Sequence, residues 1–378
     1  MKSTFIKSLS EISSDDFSKI IDEKDTPFMS YEYLYALEKS KSADFNNGWE
    51  TFHLTLNEKN NLLGFLPIYK KNNSHGEFVF DHQWSYALRR AGRDYYPKLL
   101  SAIPFTPCET RKFISPESID IQNFIEPVVN HMQENNIETW HILFPDKNLS
   151  KILSENNFIE RGGYRFVWNN KEYQSFDDFL KIFTSRQRKN IKSERKKIQN
   201  LGIEFSIKDS ANMTIEDWKI FYEFYKSTYH ERMQAPYLNF DFFNLVHEYR
   251  SILNPVIFFA ETNGEKIAGS LCFQNENTLY GRHWGSSSNI DSLHFECCYY
   301  QGIEYCIKNN IDYFDPGVQG EHKIRRGFEP RATNSYHYVL KKDFRNAINS
   351  FCREEKINIE KYLAACSEYT PIKKEYRI

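Results

Sequence analysis

Apolar and polar positions alternate along this chain with two periods, one near two and one near 3.6, and the order in which they switch is followed twice. In the first half a short helix is expected over 31–39, after the Thr26-Pro27 turn. Strands over 51–56 and 62–70 flank the polar turn 57–61. A helix over 119–135, a buried strand over 139–144 ending at Pro145, a short helix over 151–156 and a strand over 164–168 complete the half. In the second half a helix over 176–200 is ended by Leu201-Gly202, and a strand covers 203–207. Thr214 is placed to cap a helix running to 229, with Asp217 at the capping-box position. A helix over 240–250 follows, then a hairpin of 256–261 and 266–274 across Thr262-Asn263-Gly264. The sheet continues at 278–285. A helix over 293–308 leads to a strand over 311–315, ended by Pro316-Gly317, and 336–340 closes the sheet.

This order predicts an α/β (α+β) chain built from two copies of one fold, each a mixed, mostly antiparallel sheet flanked by helices. The expected domains are 1–168, 169–345 with the active site, and a helical tail over 346–378. With 378 residues, two cores are favoured over one, a single large α/β domain being the alternative. The aromatic content of 16% suits large cores and ring-lined clefts. A net charge of -2 argues against a surface that coats nucleic acid or membrane as a whole, and leaves room for local basic patches. The 7 cysteines show no metal-ligand spacing, which points to reduced thiols. The first residues lack the apolar core of a signal peptide, and no apolar run approaches the ~18 residues of a membrane span. A cytoplasmic protein without stable membrane insertion is expected, and no metal.

Candidate chemistry concentrates in 279–328. On a helix over 293–308, Glu296, Tyr300, Ile303 and Ile307 share a face by spacing. A carboxylate on an apolar stripe is either paired or held near neutrality, the latter suiting a general base. In Tyr280-Gly281-Arg282-His283-Trp284-Gly285, alternation places Tyr280, Arg282 and Trp284 on one side, with Leu279 and His283 on the other. The two glycines would admit a ligand against the backbone. After the next strand, a glycine-rich turn running to Gly320-Glu321-His322-Lys323 offers backbone N–H groups to an anion, plus an acid–base pair and a cation. Neither a G-x-S-x-G nucleophile nor a P-loop occurs, which disfavours covalent hydrolysis and ATP hydrolysis. The run 185–197, rich in Arg and Lys, is either a solvated helix face or a phosphate- or RNA-binding one. Residues 75–84, 95–98 and 104–107 mix aromatic and polar side chains without a period and read as a cleft wall. A metal site of His75, Asp81 and His82 lacks a complete ligand set.

Several blocks carry a resemblance. Gly76-Glu77-Phe78-Val79-Phe80-Asp81, Tyr95-Tyr96-Pro97-Lys98-Leu99, Pro104-Phe105-Thr106-Pro107, Ser185-Arg186, Arg188-Lys189-Asn190-Ile191, the 279–285 strand, Leu293-His294-Phe295-Glu296 and Gly320-Glu321-His322-Lys323 occur in this order. Together they resemble the FemAB-like N-acyltransferases, also called peptidoglycan biosynthesis/recognition proteins, over nearly the whole chain. That family is similar to the GNAT superfamily, and its Fem-type members carry two GNAT-like domains. The resemblance implies transfer of an acyl or aminoacyl group to an amine, on a small molecule or a cell-wall peptide precursor. Acyl-CoA or aminoacyl-tRNA is the implied donor. It further implies Glu296 or His322 as base and Lys323 beside the oxyanion. Tyr280, Arg282, Trp284, His294, Tyr300, Glu321, Glu77, Asp81, Tyr96 and Lys98 would meet substrate, and Arg186, Arg188 and Lys189 phosphates. The 285–292 junction has no Q/R-x-x-G-x-G/A loop for a pyrophosphate, which weighs against acetyl-CoA. The long helical arm of peptidoglycan-bridging Fem enzymes is also not evident, which weakens tRNA by direct analogy. A non-catalytic peptide- or precursor-binding module, and an RNA-binding protein acting through 186–197, are the competing readings.

Overall fold

The structure, a computed structural model, describes residues 1–22, 24–59, 61–318 and 320–377. Asn60, in the expected 57–61 turn, and Gln319, in the glycine-rich loop, lie outside them. The chain forms two compact units, Met1–Tyr164 with Ala332–Lys361, and Arg165–Arg331 with Tyr362–Ile378.

In the first unit, Lys2–Ile6, His53–Glu58 and Asn61–Leu66 make an antiparallel three-stranded sheet. The strand expected over 62–70 is two strands, because Pro67 has no N–H to continue the ladder. Its second part, Tyr69–Lys71, joins another sheet beside Glu50–Thr51 and Lys98–Ser101. Lys98–Ser101 runs parallel to Thr139–Leu143, which in turn pairs with 335–339. Helix Gln122–Glu134 buries Phe124, Val128 and Met132, spaced i, i+4, i+8, against Leu54, Leu56, Trp140 and Ile142. Helix Lys147–Glu155 starts where Asp146 accepts from the Leu149 N–H at 2.8 Å.

Residues 332–361 belong with this unit and not with the second domain and tail. The end of Glu329–Val339 completes the 139–143 ladder, and Phe344, Ile348 and Cys352 pack on Trp84, Leu88 and Ile159. Such non-local pairing leaves no mark in the local periodicity. Helix Lys342–Glu368 accounts for most of the expected tail.

The second unit is an antiparallel meander, Glu204–Lys208, Pro255–Thr262, Glu265–Gln274 and Thr278–Ser286, with Tyr313–Asp315 parallel to the last. Thr262 and Glu265 close the hairpin across Asn263 and Gly264, both at positive φ (51° and 80°), as a tight two-residue turn requires. Thr214 and Asp217 form the capping box of helix Ile215–His230. The helix expected over 176–200 is two, Phe176–Leu180 and Ser185–Asn200. The break falls at Thr184, whose backbone is extended (φ -55°, ψ 152°) and whose N–H donates to the Pro371 carbonyl while Phe183 bridges to Ile372. Mixed sheets flanked by helices are therefore present in both units. No helix among the described residues is long and apolar enough to cross a membrane.

Candidate active site

The second unit brings the 279–328 residues together around Asp315. Strand Tyr313–Asp315 pairs with Thr278–Ser286 so that Asp315 lies opposite Tyr280. Across the other edge, Leu271 pairs with His283 and Cys272 with Gly281, so Arg282 is the extra residue of a β-bulge. The bulge exchanges the faces expected from simple alternation. Tyr280 and His283 share one face, where His283 meets the rings of Tyr225 and Phe243, while Leu279 and Trp284 pack on the opposite core. Arg282 is thereby aimed at Asp315, Nη2 to Oδ2 3.2 Å, and its guanidinium lies 5.4 Å from the Tyr280 ring.

Asp315 is buried, accepts from the Gly317 N–H at 3.0 Å, and also pairs with Arg165. Burial would raise its pKa, and the charges of Arg165 and Arg282 outweigh that, so it stays below the ordinary carboxylate value. Arg282 is thus a partner of Asp315 as well as a candidate substrate group.

The turn Glu321–Arg326 follows, stopped by Gly327 at φ +88°. A Cβ there would sit 2.7 Å from the Phe179 ring, so the position needs glycine twice over. Lys323 is 2% exposed. Its Nζ donates to the Gly317 carbonyl at 2.7 Å and lies 3.5 Å from that of Val318. Burial pushes its pKa down to about 8, against the opposing pull of Asp315. His322 is exposed, with Nε2 2.8 Å from the Tyr299 hydroxyl. Burial of part of the ring, with Arg326 and Lys323 nearby, lowers its pKa, so the imidazole is neutral at physiological pH. His294 stands between the rings of Trp284 (5.3 Å) and Tyr299 (5.4 Å), and burial pushes it down to about 4. Glu321 accepts from the Tyr362 hydroxyl at 2.9 Å.

Glu296 is placed differently from the expected free base. The helix is interrupted: Leu293–Phe295 is α-helical, Glu296–Tyr300 is a π turn in which Gln301 N–H reaches back to Glu296 C=O, and Gln301–Lys308 resumes the α-helix. The wider turn breaks the i, i+4 stripe that joined Glu296 to Tyr300. Glu296 instead meets Arg195, whose Nε is 3.1 Å from both carboxylate oxygens and whose Nη2 is 2.9 Å from Oε1. Gln301 Nε2 adds a bond of 2.8 Å. With both oxygens bonded to a cation, this carboxylate is a structural pair. Tyr300 donates to Glu194, which also holds Arg326 at 2.8 Å.

The two glycines of the 280–285 strand differ, and only Gly285 is required by packing. A Cβ on Gly285 would lie 1.8 Å from the Phe224 carbonyl oxygen, so this glycine lets helix Ile215–His230 close on the strand. One on Gly281 would make only ordinary contacts with Phe314 and Pro316, at 3.4 Å, which leaves that position open to a ligand. Arg186 and Lys189 are exposed on the first turns of Ser185–Asn200 and make no ion pair among the described residues. Arg188 is half-buried, with Nη2 3.5 Å from Ser185 Oγ.

In the first unit, Glu77, Asp81 and Lys98 are fully buried and bind one another. Lys98 Nζ donates to Glu77 Oε2 at 2.7 Å, to Ser74 Oγ at 2.8 Å and to Asp81. Tyr95 donates to Asp81 at 2.6 Å, and Tyr96 OH is 2.8 Å from Ser74 Oγ. Burial pushes Glu77 up to about 7 despite Lys98, and lowers Lys71 to about 7. These side chains pin the 72–81 loop, and that role engages the groups expected on substrate. Asp81 is likewise committed to Lys98 and Tyr95 and not to His75 and His82, and no group of three His, Cys, Asp or Glu among the described residues is placed to hold a metal.

Arg165, Asp315, Tyr299 and Arg195 were not among the expected site residues. Asp315 ends a strand before Pro-Gly, a usable signal. Arg165 carried none and Arg195 only its place in the basic run, which points to phosphate, since their carboxylate partners lie 150 and 101 positions away.

No curated protein sequence matches the chain. Among solved structures, FemX aligns with a TM-score of 0.55 at 10% identity, over 92% of this chain and 100% of that one. A conserved protein of unknown function from Bacteroides thetaiotaomicron VPI-5482 gives 0.53 at 11% identity, over 90% and 100%. L-PGS from Bacillus licheniformis gives 0.52 at 9%, over 85% and 96%. At such identities the likeness is one of fold. A model of FemAB-like peptidoglycan biosynthesis/recognition proteins matches residues 8–374, and the chain belongs to that family.

Proposed function

We propose that this protein transfers an activated acyl or aminoacyl group to the amine of a cell-wall peptide precursor, with Lys323 and His322 at the reacting centre. The observation that carries the reading is Lys323: a buried ammonium held by the loop's own carbonyls, with no carboxylate within ion-pair distance among the described residues. An ammonium has three N–H donors, and the loop takes at most two. The third suits the carbonyl oxygen of an ester or thioester, which becomes an oxyanion as the amine attacks.

The attacking amine must lose a proton. His322, neutral at physiological pH, is the base in this reading. In the tautomer that donates Nε2–H to Tyr299, its Nδ1 lone pair is left to accept that proton. Glu321 beside it stands ready for a substrate ammonium. Asp315, with Arg165 and Arg282, fixes the strand end from which the loop departs.

The test is mass-spectrometric detection of transfer to a lysine-containing cell-wall peptide. Purified protein would be supplied separately with acyl-CoA and with aminoacyl-tRNA mixtures. Lys323→Met is expected to lower kcat by about a hundredfold or more, by analogy with loss of an oxyanion donor. Unchanged transfer in both Lys323→Met and His322→Ala would remove the proposed centre.

A further inference from the structure

The first unit carries a loop whose polarity is reversed. In 77–81, Glu77 and Asp81 are buried, whereas Phe78 and Val79 are only partly covered and Phe80 is 62% exposed. The reversal is held in place: Lys98 grips both carboxylates, and Arg161 Nη1 donates to the Phe80 carbonyl at 2.9 Å. Phe78 sits at φ +62°, a strained conformation for a bulky residue. Helix His82–Arg90 continues the surface. It buries Trp84, Ser85 and Leu88 and turns His82, Tyr86, Arg89 and Arg90 outward, spaced i, i+4, i+7, i+8 on one face. The rings of Phe80 and His82 lie 6.3 Å apart, and Arg90 lies 5.8 Å from the ring of Tyr86, itself 61% exposed. Neither Arg89 nor Arg90 makes an ion pair among the described residues.

We infer that Phe80, Tyr86, Arg89 and Arg90 form a membrane-surface patch that seats the first unit on a bilayer containing anionic lipid. Exposed rings beside unpaired arginines match the headgroup layer: rings enter the acyl boundary while guanidiniums meet phosphates. The charge selects the occupant, since an anionic leaflet attracts both arginines at once. A stable protein partner is disfavoured by size. A nine-residue helix face about 13 Å long, with one loop tip, falls well short of the ~800 Å² that each side of a lasting interface covers. The inference stands apart from the transfer chemistry, and failure of either leaves the other intact.

The test is co-sedimentation of the full chain with vesicles of phosphatidylcholine alone and of equal parts phosphatidylcholine and phosphatidylglycerol. The wild-type chain is expected to bind the mixed vesicles, less so at high salt, and to ignore the neutral ones. Arg89→Glu and Arg90→Glu should each weaken binding on the order of fivefold or more. Phe80→Ser and Tyr86→Ser should each weaken it roughly tenfold with the salt dependence retained. Tyr86 is 61% exposed, so Tyr86→Ser keeps the test open if Phe80→Ser misfolds; melting temperatures monitor both. No binding to mixed vesicles, or equal binding by all variants, overturns the inference. So does concentration-dependent self-association that Phe80→Ser abolishes, which would make the patch a protein contact.

Discussion

Arg195 lies side-on to Glu296, its Nε equidistant at 3.1 Å from both carboxylate oxygens, while its other nitrogens reach Glu304 at 2.7 and 3.1 Å. The guanidinium also stacks 4.3 Å above the Phe176 ring. One arginine therefore ties helix Ser185–Asn200 to the π turn. Arg195→Met is expected to cost about 3 kcal/mol, because it strands a buried carboxylate. Glu296→Gln should cost less, since an amide still bonds to Gln301 and Arg195. Urea titration measures both. Transfer by the folded fraction of Glu296→Gln should stay within a few-fold of wild type, and a loss above a hundredfold would restore Glu296 as the base.

The same pair shows what was legible beforehand. Burial of Glu296 was expected from spacing, and so was the need to pair or neutralise it, although the π turn takes it off the stripe that spacing drew. Which of the two holds depends on Arg195, 101 positions away, and on a π turn that no local propensity signals. The hairpin at Asn263-Gly264 and the Thr214–Asp217 cap were readable because their chemistry is local. The return of 335–339 to the first sheet was not, since Tyr336 pairs with Ile142 across about half of the chain. The Arg282 bulge belongs to the same class: one extra residue in a ladder inverts every face after it, and only the partner strand records it.

Glycine positions separate two mechanisms. Gly285→Ala would press a methyl to within 1.8 Å of Phe224 O and 2.1 Å of its carbonyl carbon, and backbone cannot yield as a side chain can. A loss of roughly 3 kcal/mol or more is expected, as for overpacking of a rigid contact. Gly264→Ala meets nothing within 4 Å and suffers only from φ +80°, so about 1 kcal/mol should be lost. Thermal melts of the two variants compare them directly, and equal costs would show that the helix–strand contact is loose.

Lys98 is the hub of the first unit's buried charges. Lys98→Met leaves Asp81 and Glu77 without their shared ammonium, Glu77 keeping only Lys71 at 3.9 Å, and Asp81 must then be protonated or expose itself. Loss of about 3–5 kcal/mol is expected at pH 7, shrinking as pH falls and the carboxylates take up protons. Adding Glu77→Gln should recover part of the loss, because one stranded charge is gone. A double variant no more stable than Lys98→Met would mean that the two side chains do not share an energetic term.

Lys323 links stability to activity with opposite signs. Its folded pKa of about 8 lies below the ordinary 10.5, so at neutral pH the fold holds an ammonium that it would rather hold neutral. Between pH 8 and 10.5 the unfolded chain binds the extra proton, and stability conferred by this group therefore rises with pH across that window. Relative to Lys323→Met, the wild-type chain should gain about 3 kcal/mol from pH 7.5 to 10.5, read from paired urea titrations. Transfer should move the other way, falling as pH rises through about 8 and the ammonium is lost. On the acid side it should fall as His322 gains a proton, at a pH below 6.5. A bell-shaped profile results, and its alkaline limb should move to higher pH in Lys323→Arg if that variant retains activity, because a guanidinium keeps its proton. An alkaline limb that stays near pH 8 in Lys323→Arg would assign that ionisation to the substrate amine or to another residue.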